Sequence, residues 1–245
     1  MKFLLGKCAA VFMAFGLAAC ASGPQPLVQG VERIGVASVI GGELGMRRVS
    51  LGGLSKSKDR ALIPDWGLDE YAEGEMTVLL QDRYQIMPLQ VARHAKEAYR
   101  VAQADFTMRQ TGPLDAYVII VPAKRKPRMG KDMDFRYEGV GVHQKVTSRN
   151  LEVYVYAMAD LVLLDGRTLE ELRRVPLVDR EKGADGTVVD GAYTDGDTRM
   201  VSNGPEWPER LAELSNGQSQ AVADALAILL RRSLNHSLVE IGLTQ

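Results

Sequence analysis

Apolar residues occupy every odd-numbered position from 151 to 163, and this alternation constrains the fold more than any other feature of the chain. Because successive side chains of a strand point to opposite faces of a sheet, the spacing predicts a long strand over residues 150–164 with one buried face. Residues 136–146 are also strand-like, and Asp165-Gly166 predicts a tight turn into a further strand over residues 168–177. These segments predict a β-meander in the second half of the chain.

A helix is predicted over residues 218–241, where apolar side chains recur at spacings of three and four. Their continuous face consists of Val222, Leu226, Leu229, Leu230, Leu234, Leu238 and Ile241. Two further helices are predicted in the N-terminal half, one over residues 65–81 with Asp65 as its N-cap and one over residues 89–108.

Short strands are predicted around these two helices, over residues 32–40, 84–87 and 114–121, and the last is apolar enough to be buried on both faces. Residues 45–63 and 179–217 are rich in glycine and polar residues, and both are interpreted as irregular connections. The order of elements predicts an α/β or α+β fold. In it, a mixed sheet of five to six strands carries two helices from the N-terminal half and a long C-terminal helix.

The first twenty residues carry Lys2 and Lys7 near their start, continue with an apolar stretch and end in Leu17-Ala18-Ala19-Cys20. This pattern resembles the signal of a bacterial lipoprotein, and its last four residues are similar to the lipobox. The stretch is shorter than the roughly 20 apolar residues of a membrane-spanning helix. The resemblance implies cleavage between Ala19 and Cys20 and lipidation of Cys20. Because Ala21 follows rather than aspartate, it also implies sorting to the outer membrane.

This interpretation divides the chain into a signal peptide over residues 1–19, a lipidated tether over residues 20–31 and a single periplasmic domain over residues 32–245. Residues 21–30 span at most about 35 Å when extended, so the domain is expected close to its membrane. The chain is 46% hydrophobic and 25% charged, which is typical of a globular domain with a sizeable core.

Charge and cysteine content argue against several classes of protein. The net charge of -1 argues against a nucleic-acid binder. Cys8 lies in the signal and Cys20 is consumed by lipid, so the mature domain is expected to have no disulfide, no thiolate metal site and no cysteine nucleophile. No cofactor is implied.

The order of elements resembles a group of periplasmic domains. The group includes the amino-terminal domain of the Tol-system propeller protein, the curli secretion lipoprotein and the outer-membrane activators of penicillin-binding proteins. The resemblance is carried by strands over residues 33–40, 84–88, 114–121 and 151–164, by the turn Asp165-Gly166-Arg167-Thr168, and by helices over residues 68–80 and 218–234. Members of this group dock onto envelope machines, and the resemblance implies the same kind of role.

Candidate catalytic residues are sparse. The motif Ser55-Lys56-Ser57-Lys58 lies in the first irregular segment and lacks the downstream motifs of penicilloyl-serine enzymes. His94, His143 and His236 share no metal-ligand spacing, and only His143, which follows a glycine-rich stretch of a predicted strand, is placed to face a cleft.

Acidic and glycine motifs are also weak. Glu70, Glu73 and Glu75 invite comparison with the carboxylate pair of a glycosidase, but their places between apolar residues of a helix favour a solvated face. Gly41-Gly42 ends a strand without the spacing of a nucleotide-binding loop. Asp-Gly pairs at 185, 190 and 195 match no calcium motif and are interpreted as turns. No catalytic residue and no metal site are assigned.

Two segments are predicted to contact partners. Five cations follow the strand over residues 114–121, namely Lys124, Arg125, Lys126, Arg128 and Lys131. They form either a solvated loop or a contact with lipid headgroups, lipopolysaccharide phosphates or an acidic protein. Trp207, flanked by two prolines, either anchors a partner or fixes its loop to its own domain, whereas Trp66 is expected in the core.

These features predict an outer-membrane lipoprotein that acts as a non-catalytic accessory of an envelope assembly, with a protein partner and no nucleic acid. One alternative is a periplasmic hydrolase of a cell-wall or lipid substrate, which needs a concave site where His143 or a carboxylate meets a nucleophile or a metal. The other is a carrier of a lipid or small ligand, which needs a large apolar cavity. Self-association is left open.

Overall fold

A computed structural model describes residues 30–50, 56–89, 114–125, 137–146, 151–178, 198–203 and 207–244. Its strands are β1 (Arg33–Ser38), β2 (Glu43–Val49), β3 (Lys56–Leu62), β4 (Gln85–Pro88), β5 (Ala116–Pro122), β6 (Lys124–Arg125), β7 (Tyr137–Val146), β8 (Leu151–Asp165), β9 (Glu171–Pro176) and β10 (Thr198–Asn203). The helices are α1 (Leu68–Leu80) and α2 (Asn216–Ile241), with 3₁₀ turns at Pro64–Trp66 and Leu211–Glu213.

Strand β8 connects the two halves of one mixed sheet. Its first half pairs with β7 on one edge and β10 on the other, and its second half pairs with β5 and β9. The first sheet half therefore has the order β4-β1-β5-β8-β9, and the second has the order β3-β2-β7-β8-β10. Parallel pairs join β1 to β4 and β5 and join β2 to β7, while the remaining pairs are antiparallel. The mixed α+β architecture expected from the sequence is confirmed, and the described residues contain ten strands rather than the five to six predicted.

The main core lies between one face of this sheet and the two helices. All seven odd-numbered residues of β8 from 151 to 163 belong to it, which confirms the prediction of one buried face. Leu68, Ala72, Met76 and Leu80 of α1 contribute to the same core, as does the apolar face of α2. Each large apolar side chain buried there stabilises the fold by about 1.5 to 3 kcal/mol before the cost of ordering is counted.

Helix α2 begins two residues before its predicted start because Ser215 caps it. The Ser215 side chain accepts from the amide of Gln218, and the Gln218 side chain accepts from the amide of Ser215, which forms a capping box. The helix ends at Gly242, whose φ of 90° lies in the left-handed region. Local capping therefore sets both ends of the longest helix.

Two segments that the sequence analysis interpreted as irregular contain strands. Residues 45–63 form most of β2 and β3, and residues 179–217 include β10, a 3₁₀ turn and the first residues of α2. In β2 only Leu44 and Met46 are buried apolar side chains, and β3 lies at the sheet edge with mostly polar side chains. Neither strand therefore carries the alternating apolar pattern from which strands are predicted.

Helix α1 also starts later than expected. Asp65 lies in the 3₁₀ turn rather than at the N-cap, and the N-cap is Gly67, which makes no side-chain capping bond. The second predicted helix, over residues 89–108, lies outside the described residues except for Leu89, which is buried.

Candidate functional site

The N-terminal end of β1 is fixed by Asp115. Its Oδ2 accepts hydrogen bonds from the amides of Glu32 at 2.9 Å and Arg33 at 2.8 Å. These two bonds are the main reason why the pKa of Asp115 is lowered. The amide of Gly166 donates to the Asp115 carbonyl, and a Cβ at position 166 would collide with the Leu114 carbonyl oxygen. We call this part of the molecule, residues 32–33, 115 and 165–168, the proximal end.

Two carboxylates of α1 hold the opposite end of β1. Asp69 Oδ1 accepts from Ser38 Oγ at 2.6 Å and from the amides of Ile40 and Gly41 at 2.8 and 3.0 Å. Glu73 Oε1 accepts from the amide of Ser38 at 2.9 Å. Both carboxylates are buried, so the expected solvated face is wrong for Glu73. The amides at the end of β1 and in the β1–β2 connection need acceptors because they are buried, and the two carboxylates of α1 supply them.

Glu70 and Glu75, the other two acidic residues compared with a glycosidase pair, are not buried in the core. Glu70 is exposed, and Glu75 lies 3.6 Å from the Arg231 guanidinium. Within the described parts of the chain, no group of three His, Cys, Asp or Glu side chains is arranged to hold a metal ion.

A cluster of aromatic and polar side chains lies on the second sheet half, on the face away from the helices. Cross-strand register places Arg47, His143 and Tyr154 in one row and Gly45, Gly141 and Tyr156 in the next. Tyr137 packs edge-on against Tyr156 and against His143, with ring centroids 4.7 and 5.7 Å apart. We call Arg47, Tyr137, His143, Tyr154 and Tyr156 the tyrosine–histidine cluster.

His143 lies at the centre of this cluster and is fully buried. Its Nδ1 is 2.7 Å from the Tyr137 hydroxyl, while its Nε2 has no hydrogen-bond partner in the described structure. Burial, together with Arg47 and Lys145, lowers the pKa of His143 to about 4. Burial also raises the pKa of Tyr137 to about 12. Both groups are therefore neutral at pH 7.

Two glycines make room for the ring of Tyr156. A Cβ at Gly141 would collide with the Tyr156 hydroxyl and the Gly45 carbonyl oxygen, and a Cβ at Gly45 would lie 2.8 Å from the same hydroxyl. Gly141 belongs to the glycine-rich stretch before His143, and the absence of a side chain there allows close packing of an aromatic ring.

The predicted basic segment begins beside this cluster. In β6, Lys124 pairs with Glu138 and Arg125 pairs with Tyr137, and Lys124 is exposed. The Arg47 guanidinium carbon lies 5.5 Å from the centre of the Tyr137 ring. Strand β3 places Lys58 opposite Arg47, so a second group of cations approaches the same region. Lys126, Arg128 and Lys131 lie outside the described residues.

The basic segment and the proximal end lie at opposite ends of β5. Ala116 pairs with Ile34 near the proximal end, and the chain then runs through β5 to Lys124. At about 3.3 Å per strand residue, these eight steps separate the two regions by roughly 25 Å. We call the region of β2, β3, β6 and the start of β7 the distal region.

The other predicted residues have separate places. Trp207 and Trp66 are both half-buried and pack against the main core, as expected for Trp66, and the partner contact of Trp207 stays a prediction. His236 is half-buried on α2. Ala19, Cys20, Ser55, His94 and the Asp-Gly pairs lie outside the described residues. None of the helices within the described ranges is long and apolar enough to cross a membrane.

Arg47, Tyr137 and Tyr156 were not predicted from the sequence as parts of a cluster. Arg47 belongs to a strand that was interpreted as a loop, and the two tyrosines carry no motif. The alternation of residues 151–163 was the available signal, because it places Tyr154 and Tyr156 on the face opposite the main core.

Comparison with known proteins gives distant structural likenesses. No family model matches the sequence, and no curated protein matches it. A Xanthomonas campestris protein of the DUF330 family is similar over 88% of this chain and 86% of its own, with 10% identity and a TM-score of 0.35. The PelC dodecamer from Paraburkholderia phytofirmans is similar over 86% of this chain and 92% of its own, with 12% identity and a TM-score of 0.25.

Proposed function

We propose that this protein is a lipoprotein of the outer membrane whose periplasmic domain acts as a non-catalytic accessory of a cell-envelope assembly. In this proposal Cys20 carries the lipid and residues 21–30 tether the domain. The distal region contacts a partner protein. The resemblance of the element order to the Tol, curli and synthase-activator domains supports the same kind of role.

One observation carries the proposal: the chain enters the sheet at the proximal end, whereas the cations of β6 lie at the other end of β5. The tether joins the domain at the proximal end, so that end lies within about 35 Å of the bilayer. The Asp115 bonds to the amides of Glu32 and Arg33 hold the start of β1, where the tether joins the domain. In this proposal the distal region faces the periplasm and contacts an acidic protein surface rather than lipid headgroups.

The hydrolase alternative has no support from the histidine that it named. His143 is fully buried, and its ring contacts are Tyr137 and Tyr154 rather than a carboxylate. A general base must come within hydrogen-bond distance of the proton that it removes. The ligand-carrier alternative stays a prediction.

The proposal is tested by in-cell crosslinking of the full-length protein, followed by detergent extraction and mass spectrometry, with Cys20→Ser as the variant that cannot be acylated. A protein partner that is recovered with the wild type and lost with Cys20→Ser is the expected result. Recovery of the same partner with both proteins would contradict a role for the anchor.

The distal contact is tested by replacing Lys124, Arg125, Lys126 and Arg128 with serine. Recovery of the partner should fall, and its dependence on salt should weaken, because screened attraction between opposite charges is removed. Arg83→Ser with Arg167→Ser is the matched control, since both arginines are exposed near the proximal end. Equal losses in the two variants would contradict a distal contact.

A further inference from the structure

Strand β3 forms one edge of the sheet. It pairs with β2 along all seven of its residues, from Glu43 opposite Leu62 to Val49 opposite Lys56. No other strand in the described part of the chain pairs with β3. An edge strand presents a row of backbone donors and acceptors on its outer side, and these can receive an added strand.

The side chains of β3 give this edge a specific chemistry. Lys58, Arg60 and Leu62 alternate along the strand and therefore share the face away from the helices. All three are exposed, and the Leu62 side chain, at 76%, has the highest exposure of the large apolar residues in the described chain. The edge thus offers two cations followed by one apolar side chain, spaced two residues apart.

The charge on this edge is only partly compensated within the chain. Arg60 lies 2.7 Å from Glu43 and keeps 55% of its side chain exposed. Lys58 makes no ion pair with any described residue, and its cross-strand neighbour is Arg47. A carboxylate placed opposite Lys58 would gain an attraction that none of the described residues supplies.

The same pattern disfavours a second copy of this chain as the occupant. Antiparallel pairing of two β3 strands about Asp59 would place Lys58 of each copy opposite Arg60 of the other. Like charges directly opposite each other destabilise a strand pair. The edge therefore selects a chain of opposite charge.

We infer that the outer edge of β3 is a docking site for an extended acidic segment of a partner protein, which adds a strand to the sheet. Acidic side chains at alternate positions lie opposite Lys58 and Arg60, and an apolar side chain lies against Leu62. This inference rests on the proposed function, because it names the chemistry of the partner that the distal region contacts.

The test measures binding of a labelled heptapeptide, Val-Leu-Val-Glu-Val-Glu-Val, to the full-length lipidated protein in detergent. In antiparallel register its two glutamates lie opposite Lys58 and Arg60 and its leucine lies opposite Leu62, and we call it the Val-Glu peptide. A peptide with Lys in place of Glu is the charge control, and a Val-Glu peptide with a central Pro is the backbone control, since proline cannot complete the ladder. The Val-Glu peptide should bind at least about tenfold more tightly than either control, and the amides of residues 56–62 should exchange more slowly in its presence.

Lys58→Glu should weaken binding of the Val-Glu peptide and strengthen binding of the Val-Lys peptide, whereas Arg167→Glu at the proximal end should change neither. Lys58→Gln is the milder variant, and it should also weaken the Val-Glu complex. Equal binding of the acidic and basic peptides, or binding that the central Pro leaves intact, would overturn the inference.

Crosslinking in cells separates this inference from the proposed function. A partner that depends on Cys20 but not on Lys58 would refute docking at β3 and leave the accessory role standing. If no partner is recovered at all, the accessory role is refuted, while the peptide measurement still decides whether the edge accepts an acidic strand.

Discussion

Tyr137 and His143 lie six residues apart on one strand and share a hydrogen bond of 2.7 Å between the tyrosine hydroxyl and the histidine Nδ1. The bond spans a local irregularity of β7, where Gly139 has a φ of 67°. In a regular strand residues six apart share a face but lie about 20 Å apart, so the left-handed residue bends the strand and brings the two rings together, against Tyr156. A buried polar cluster is thus built from residues with no recognisable motif.

The first prediction concerns the pH dependence of stability. The pKa of His143 falls to about 4 in the folded protein from 6.5 for an ordinary histidine, so folding favours its neutral form. The contribution of neutral His143 to the free energy of unfolding is fully present above pH 6.5. It is lost as the pH falls from 6.5 toward 4, by roughly 3 kcal/mol in total. Urea unfolding at a series of pH values from 7.5 to 4.5 measures this loss. In His143→Gln the fall in the free energy of unfolding with pH should be smaller by about 3 kcal/mol. A variant with the same pH dependence as the wild type would contradict a lowered pKa of His143.

The second prediction concerns the hydroxyl of Tyr137. Tyr137→Phe removes the partner of His143 Nδ1 inside the cluster and should lower the free energy of unfolding by about 1 to 3 kcal/mol. Tyr154→Phe is the matched control, because the Tyr154 hydroxyl bonds to Glu152, whose carboxylate is partly exposed and can turn to water. Its loss should cost about 0.5 to 1 kcal/mol. Chemical denaturation measures the free energy of unfolding of both variants. An equal or larger loss in Tyr154→Phe would refute the structural role given to the Tyr137 hydroxyl.

The third prediction concerns the buried carboxylate of α1. Asp69→Ala leaves Ser38 Oγ and the amides of Ile40 and Gly41 without their acceptor, and we expect a loss of about 3 kcal/mol or more. Glu70→Ala, one position further along the same helix but exposed, should change stability by less than about 0.5 kcal/mol. Thermal unfolding followed by circular dichroism compares the two, and similar melting temperatures would show that Asp69 does not hold the end of β1.

The fourth prediction uses two glycines with opposite surroundings. Gly141→Ala places a methyl group against the Tyr156 hydroxyl and should destabilise the fold by about 1 to 3 kcal/mol. Gly74→Ala meets nothing within 4 Å on an exposed face of α1 and should stabilise the fold by about 0.5 to 1 kcal/mol. Urea denaturation should therefore move the two midpoints in opposite directions. A shift of both midpoints in the same direction would count against the packing described for Tyr156.

The fifth prediction concerns the proximal end. Asp115→Ala removes the acceptor of the Glu32 and Arg33 amides, so hydrogen exchange at these two positions should become about tenfold faster or more. Asp82→Ala, a nearby exposed carboxylate, serves as the control. Unaltered exchange at Glu32 and Arg33 in the Asp115 variant would mean that other contacts fix the start of β1.

The sequence was sufficient to predict those strands and helices whose apolar residues recur with the period of a strand or of a helix. The long strand β8 and the helix α2 were predicted because each has one apolar face directed at the core. Strands β2 and β3 were missed because the edge of a sheet buries few apolar side chains, so their polar sequences resemble a loop. The prediction that Asp65 caps α1 was also wrong, because Asp65 lies in the preceding 3₁₀ turn and the helix starts after Gly67 without a side-chain cap.

The candidate sites depended still more on the tertiary structure. Glu73 was expected to be solvated because a helix sequence does not reveal that a neighbouring strand end lacks partners for its amides. Arg47 meets His143 only through the register of β2 with β7, which the sequence does not specify. By contrast, the resemblance of Leu17-Ala18-Ala19-Cys20 to a lipobox depends only on the local sequence, and it stays a prediction.

The most direct test of the proposed two-ended arrangement places a photocrosslinking residue at Lys124 in one variant and at Arg167 in another, each in the full-length protein in cells. The account predicts that position 124 crosslinks to a protein, that the adduct disappears when Cys20 is also replaced by serine, and that position 167 yields lipid or no adduct. A protein adduct at position 167 together with none at position 124 would contradict the account, because it would place the partner at the end assigned to the membrane.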